Sequence, residues 1–302
     1  MKIVIAGGTG FIGKTLVSRL KSQGHEIILL SRGDQPSVDS NIRFCQWDGR
    51  TVGAWANELE AGDAVINLAG AAIAEKLWTQ KQKEILLDSR VHATRAIIHA
   101  IEKLTRKPKV LINASAIGYY GNVPDGDITE ISPKGRGFLA DVCDRWEKEA
   151  RGAEKFGVRT VLLRTGIVLG KEGGALARMI PAFQFFVGGP FGSGKQWVSW
   201  IHREDVVGIL LFALENHAIS GPINATAPNP LTLRDFCCAL GKVLNRPSWL
   251  PISSSFLKIM LGEMSEMLLG GQKAIPLKLL GHHFSFRFPD LPAALIDILK
   301  KR

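Results

Sequence analysis

Tyrosine and cysteine are scarce in this chain, and long apolar runs are missing. Tyr119 and Tyr120 are the only two tyrosines, so any phenol chemistry falls to one adjacent pair. The four cysteines, Cys45, Cys143, Cys237 and Cys238, form no C-x-x-C spacing, and the neighbouring pair points to different sides of a helix. That argues against a disulfide framework and for a reducing compartment. The longest non-polar stretch, around residues 64–74, falls short of the ~18 residues a membrane span needs. A strand pattern beginning at residue 3 leaves no room for a leader peptide, so a cytoplasmic location is expected. Lysine and arginine exceed aspartate and glutamate by 38 to 28, yet the cations are scattered. Such a surface welcomes anionic ligands without forming a nucleic-acid groove. His282 and His283 have no acidic or cysteine partner at ligand spacing, and no metal is expected.

What is present begins at once. Residues 3–13 read IVIAGGTGFIG: a short apolar strand, then Gly7, Gly10 and Gly13 at three-residue spacing, then a helix pattern from Lys14 to Gln23. A turn of this kind needs positive φ, and a diphosphate needs bare backbone N–H groups at the positive end of a helix. Thr9, Phe11 and Ile12, between the glycines, belong to the same expected cradle. A second apolar run, Glu26 to Leu30, completes a β-α-β unit of about thirty residues, as a mononucleotide-binding half requires. That strand ends in Ser31 and Arg32, where an NAD site would carry an acid. A guanidinium and a hydroxyl suit a 2′-phosphate, so NADP(H) is the expected cofactor. A solvated surface arginine is the bland alternative.

Further along, a strand pattern at Ile42–Trp47 ends at Asp48, which either meets the adenine or caps a turn before Gly49. Ala64–Leu68 reads as a buried strand, and Leu68, Ala69 and Gly70 make a thin loop across which a flat cofactor can pass. Thr79–Leu104 is a long helical pattern, suited to a crossover and also to a homodimer seam. Lys109–Ser115 reads as a fifth strand, Gly137 onward as a helix, and Val158–Leu163 as a sixth strand. Two N-x-S/T triplets, at Asn113 and Asn224, are taken as chance. The predicted fold class is α/β, a Rossmann-type doubly wound parallel sheet with a smaller mixed C-terminal substrate domain. The expected division is 1–170 for the NADP-binding domain and 171–302 for the smaller one. A strand near 222–226 is free to rejoin the main sheet, and a tail occupies about 248–302. Gly189–Gln196 is one residue short of a P-loop, lacking the final Ser or Thr; a flap over a substrate fits it better.

These stretches resemble the extended short-chain dehydrogenase/reductase superfamily: GGTGFIG, NLAG, SAIGYYG, the TEISP segment, RTGIVLG and WIHREDV. Within it, SAIGYYG, the Trp146-Glu147 pair, GGPFGSG and the tail around GEMSEMLLGGQKAIP are similar to the YfcH-type "epimerase family" proteins. The superfamily places a tyrosine four residues before a lysine on one helix, with a Ser or Thr steadying the substrate carbonyl. This chain has no Y-x-x-x-K. Alignment on Trp146-Glu147 puts the tyrosine's place near Ala140 and the lysine's near Asp144, neither of which can act so, while Ser115 stands near the hydroxyl's place. The resemblance thus implies an NADP(H)-dependent oxidoreductase or epimerase-like enzyme on an unidentified polar small molecule. Ser115 with Tyr119 or Tyr120 would form the reactive shell, unless the tyrosines merely pack. Substrate contacts are expected from Trp197, Trp200 and His202. The alternatives are a non-catalytic NADP(H) sensor or interaction protein, and a salt-sensitive RNA-binding relative.

Overall fold

A computed structural model describes residues 1–33 and 41–300. In chain order its strands are β1 (Lys2–Ala6), β2 (Glu26–Ser31), β3 (Ile42–Gln46), β4 (Ala64–Asn67), β5 (Val110–Ala116), β6 (Val123–Ile128), β7 (Arg159–Thr165), β8 (Ile167–Gly170), β9 (Trp197–Val198), β10 (Trp200–His202), β11 (Gly221–Ala225), β12 (Leu231–Thr232) and β13 (Gln272–Ala274). The α-helices are α1 (Gly13–Ser22), α2 (Gln80–Lys103), α3 (Phe138–Ala150), α4 (Gly174–Gln184), α5 (Arg203–Glu215), α6 (Leu233–Leu244), α7 (Ser254–Leu261), α8 (Glu266–Leu269), α9 (Leu277–Gly281) and α10 (Leu291–Lys300).

Seven strands form one parallel sheet in the order β11-β7-β5-β4-β1-β2-β3. Alternation along each strand feeds two cores. Ile3 and Ile5 of β1 face one layer with Leu16 and Leu20 of α1 and Ile209 and Leu210 of α5. Val4 and Ala6 face the other, with Ala93, Ile97 and Ile101 of α2 and Ala150 at the end of α3. The strand order reverses between β1 and β4, so the crevice at their carboxyl ends is where ligands of such sheets bind.

Beyond residue 170 the chain does not form a detached unit. β11 returns to pair with β7, and α5 packs on the sheet. The remaining segments gather a third core around Trp200, Phe183, Phe236 and Leu295. Two short pairs, β8 with β10 and β9 with β12, run through it. β6 pairs with β13, joining residues 123–128 to the C-terminal part. The VPDGDI sequence of β6 has no strand pattern, and its pairing with a distant segment supplies what local propensity lacks.

Local signals set several boundaries. The Thr79 side chain caps α2 by accepting from the Gln82 N–H, and Thr232 does the same for α6 through Asp235. α6 ends at Asn245 with φ 53°, a left-handed position that asparagine tolerates. The P-loop-like stretch enters β9, not a helix, and is tied by backbone bonds between Gly192 and Ile252 and between Ile252 and Pro190. Cys237 is buried and Cys238 exposed, as expected of neighbours on a helix, and all four cysteines are free thiols.

Candidate active site

The glycine turn is built as its spacing demands. Gly7 has φ +80°, and a Cβ there would stand 2.7 Å from the Leu68 carbonyl group, so the turn lies directly against the end of β4. At Gly13 a Cβ would collide with the Gly7 carbonyl and come within 2.7 Å of Gly8; this glycine lets α1 pack onto β1. Gly10 differs, since a Cβ there would meet only the Gly7 oxygen, at 3.3 Å. Its open face is what the close approach of a ligand requires. Thr9 and Gly10 are exposed. The N-cap residue Ile12 offers no side-chain bond and the first turn of α1 has no acid, which leaves its N–H groups and dipole to an anion. Phe11 turns aside to pack against Gly170, Gly173 and Gly174, with Arg203 over its ring at 5.0 Å.

A cavity of about 640 Å³ adjoins this turn and runs along the outer side of α1. Its arginines are already neutralised, Arg203 by Glu172 at 2.8 Å and Arg19 by Glu204 at 2.7 Å. It touches neither residues 68–70 nor 115–120, so it lies outside the path across the sheet ends.

At the end of β2, Ser31 is half-buried and Arg32 exposed, and the Ser31 hydroxyl accepts from Gly33 N–H at 3.4 Å. Asp48 is committed to its own turn. Its carboxylate accepts from the Arg50 and Thr51 N–H groups, both at 2.8 Å, and from the Thr51 hydroxyl at 2.7 Å. Those bonds, the Thr51 N–H first, hold it below the usual carboxylate range. Of the two expected roles, the structure supplies the turn.

Below Leu68–Gly70 lies a buried polar network that sequence reading missed. Asn67 donates to Thr94 at 3.0 Å and to Asn113 at 2.7 Å, and accepts from the Ala69 N–H at 3.2 Å. Trp146 Nε1 donates to Thr94 at 2.9 Å. Fully satisfied networks of this kind rigidify what they hold, here the ends of β4 and β5 against α2 and α3. Asn113 and Asn224 are both fully buried, which disposes of the two glycosylation triplets.

The expected reactive shell is rearranged. Ser115 is buried, and its Oγ donates to Glu147 at 2.7 Å. Glu147 in turn receives Arg164 through two bonds of 2.8 Å, from Nε and Nη2. Arg164 Nη1 donates to the Tyr120 hydroxyl at 2.9 Å, and that hydroxyl donates to Asn224 at 2.7 Å. Burial pushes the Tyr120 phenol up to about 12 despite the arginine. Burial opposes the Arg164 charge, but its bonds to Glu147 outweigh this and raise it above the ordinary value. Ser115 and Tyr120 are therefore buried and bonded to partners within the protein. Tyr119 is half-buried, its ring 3.6 Å from the Arg164 guanidinium carbon. Of the three hydroxyls, it alone makes no hydrogen bond among the described residues.

The structure also shifts the helical register by one. On α3, the residues turned toward the end of β5 are Leu139, Cys143 and Glu147: a Cβ on Gly118 would meet Leu139 at 3.2 Å and Cys143 at 3.9 Å. Ala140 is in the core, and Asp144 bonds to Lys148 at 2.8 Å on the outside. The four-residue spacing that would carry tyrosine and lysine is thus occupied by Leu139 and Cys143. Burial pushes the Cys143 thiol up to about 11, so it is neutral.

The expected substrate contacts fare unevenly. Trp200 is fully buried, donating to the Asn229 carbonyl at 3.1 Å. His202 is buried and caps α5, its Nδ1 accepting from Glu204 N–H at 3.1 Å. Both are buried and bonded within the protein. Trp197 is half-buried and donates to the Pro124 carbonyl at 3.1 Å, bracing β6, with Lys273 5.1 Å from its ring.

A family model described as "NAD dependent epimerase/dehydratase family" matches residues 3–225, and one described as "Domain of unknown function (DUF1731)" matches residues 253–298. The chain is 42% identical to "Epimerase family protein YfhF" of Bacillus subtilis over 303 residues, covering 100% of this chain and 99% of that protein. It is 41% identical to "Epimerase family protein SDR39U1 homolog, chloroplastic" of Arabidopsis thaliana, over 99% of this chain and 87% of that one. Among solved structures, human epimerase family protein SDR39U1 (isoform 2) with NADPH superimposes with a TM-score of 0.90 at 34% identity, covering 100% of both chains.

Proposed function

The chain belongs to the NAD dependent epimerase/dehydratase family, and from that membership we propose that it binds NADP(H) at the Gly7–Gly13 turn and acts as an oxidoreductase or epimerase-like enzyme on a polar small molecule. One observation carries the cofactor half of this reading. Gly10 is open where Gly7 and Gly13 are closely packed, at a helix N-terminus with no cap and no acid. NADPH in the 34% identical human structure supports it. Ser31 and Arg32 would hold the 2′-phosphate, and Leu68, Ala69 and Gly70 would lie along the cofactor. Bound there, the nicotinamide supplies hydride chemistry. Tyr119, with its unpartnered hydroxyl, is the group left to hold or move a proton. Glu147 and Arg164 fix the Tyr119 ring, and Ser115 acts as a positioning residue through Glu147.

The test is a fluorescence titration with NADPH and NADH in parallel, repeated with Arg32→Ala. NADPH should bind at least about tenfold more tightly than NADH, and Arg32→Ala should abolish the difference. Equal affinity for both in the wild type would remove the 2′-phosphate assignment, and no binding of either would sink the reading.

A second reading, a non-catalytic NADP(H) sensor, is favoured by Leu139 and Cys143 standing at the tyrosine–lysine spacing. It requires NADPH to bind without turnover and to change the proteolysis of residues 171–302. An unchanged digest would exclude it.

A further inference from the structure

Arg164, Arg159 and Arg90 differ in what meets their charge. Arg164 has a bidentate carboxylate. Arg159 is surrounded by carbonyls, donating to Ala213, Leu214 and Ile219. Arg90, on α2, has one bond, from Nη1 to the Leu86 carbonyl at 2.8 Å. A guanidinium carries five N–H groups, so most of its donors have no protein partner among the described residues. Nε and Nη2 are also not among the atoms sealed from solvent without a bond, so they keep some exposure to solvent.

Its surroundings give no counter-charge. The guanidinium carbon is 5.2 Å from the Trp146 ring centre. A Cβ on Gly70 would come within 3.2 Å of that carbon and 3.3 Å of Cγ, so the side chain lies against the bare backbone of the Leu68–Gly70 loop. No aspartate or glutamate pairs with it among the described residues. Burial lowers its affinity for a proton. A half-buried cation without a partner is costly, and its planar fork matches the two oxygens of a carboxylate or phosphate.

We propose that Arg90 anchors an oxyanion of the substrate, a carboxylate or phosphate group, at the edge of the Leu68–Gly70 loop. This rests on the reading that the loop lies along NADP(H). It adds a substrate class: an anionic molecule, held by its charged group at the α2 and α3 side of the crevice. The cofactor's own diphosphate is the other source of such oxygens. It already has the N–H groups of α1 and the open face of Gly10, so Arg90 is left for the substrate.

The experiment is calorimetric titration of the full-length protein with malonate and with inorganic phosphate, free and saturated with NADP⁺, for the wild type, Arg90→Lys and Arg90→Gln. NADPH is titrated separately into each. The wild type should bind one of the two probes saturably. Arg90→Gln should weaken that binding by at least about tenfold, and Arg90→Lys, which keeps the charge and loses the fork, by less. NADPH affinity should stay within about twofold throughout. Probe binding untouched by Arg90→Gln, or absent from the wild type in both states, overturns the proposal. A roughly tenfold loss of NADPH affinity in Arg90→Gln also overturns it, by assigning the arginine to the cofactor's phosphates. If the wild type fails to bind NADPH but its free form binds a probe through Arg90, the anion site stands and the cofactor reading falls.

Discussion

Ser115 Oγ donates to Glu147 Oε1 at 2.7 Å, and the same oxygen receives Arg164 Nε at 2.8 Å. The serine that the resemblance puts at the place of the reactive hydroxyl is thus, in the fold, bonded to a buried ion pair. Both members of that pair are only 3% exposed.

Glu147→Gln should destabilise the protein strongly. The substitution leaves Arg164 buried with no counter-charge, a loss of about 3–5 kcal/mol, visible as a lowered urea midpoint at unchanged slope. Ser115→Ala should cost less, about 1.5–3 kcal/mol, the value of one hydrogen bond to a charged group. A loss of comparable size in both would show that the ion pair is not the main element.

Gly10→Ala and Gly13→Ala should separate binding from folding. A Cβ at Gly13 meets backbone on two sides, whereas one at Gly10 meets a single oxygen at 3.3 Å. Gly13→Ala should therefore lower thermal stability and cofactor binding together. Gly10→Ala should leave the melting temperature nearly intact and weaken NADPH binding by about tenfold or more. Normal NADPH binding by Gly10→Ala would place the diphosphate elsewhere.

The two tyrosines should respond in opposite ways. Tyr119→Phe should lower turnover of a carbonyl substrate by about 10²–10⁴, the usual worth of a positioned acid or base, with melting temperature and NADPH affinity unchanged. Tyr120→Phe should cost stability, about 1–3 kcal/mol, since it strips a partner from buried Arg164 and Asn224. Full activity of Tyr119→Phe would eliminate it as the proton carrier.

Acid should weaken the protein through His202. Burial holds its imidazole down at about 4, against 6.5 unfolded, and Nε2 stands 3.5 Å from Asp297 without a hydrogen bond. The unfolded chain therefore takes up the proton first. The stability from the neutral ring is complete above about pH 6.5, declines as pH falls, and is lost by about pH 4, a change of about 3 kcal/mol. His202→Asn, which retains a cap for α5, should flatten this part of the profile in urea unfolding at stepped pH. An unchanged slope would assign the acid sensitivity to another group.

Much of the fold was legible because its signals are local. The glycine spacing, the apolar run before it and the helix pattern after it lie within about thirty residues, and strand–helix alternation continues through β7. The reading weakened where structure depends on distant pairing. β6 exists through β13.

By itself the sequence determined the doubly wound sheet, the dinucleotide-type turn and the absence of a Y-x-x-x-K spacing, since each is written in neighbouring residues. Only the tertiary structure decided which side chains meet. A helix turns by about 100° per residue, so a shift of one moved the inward pair on α3 from Ala140 and Asp144 to Leu139 and Cys143. Strand alternation turned Ser115 toward Glu147, 32 residues away, and brought Tyr120 to Asn224, 104 residues away. Arg90 reads as an ordinary helical cation in sequence; the proposed anion site arises only because Gly70 and Trp146 pack against it and neither carries a carboxylate.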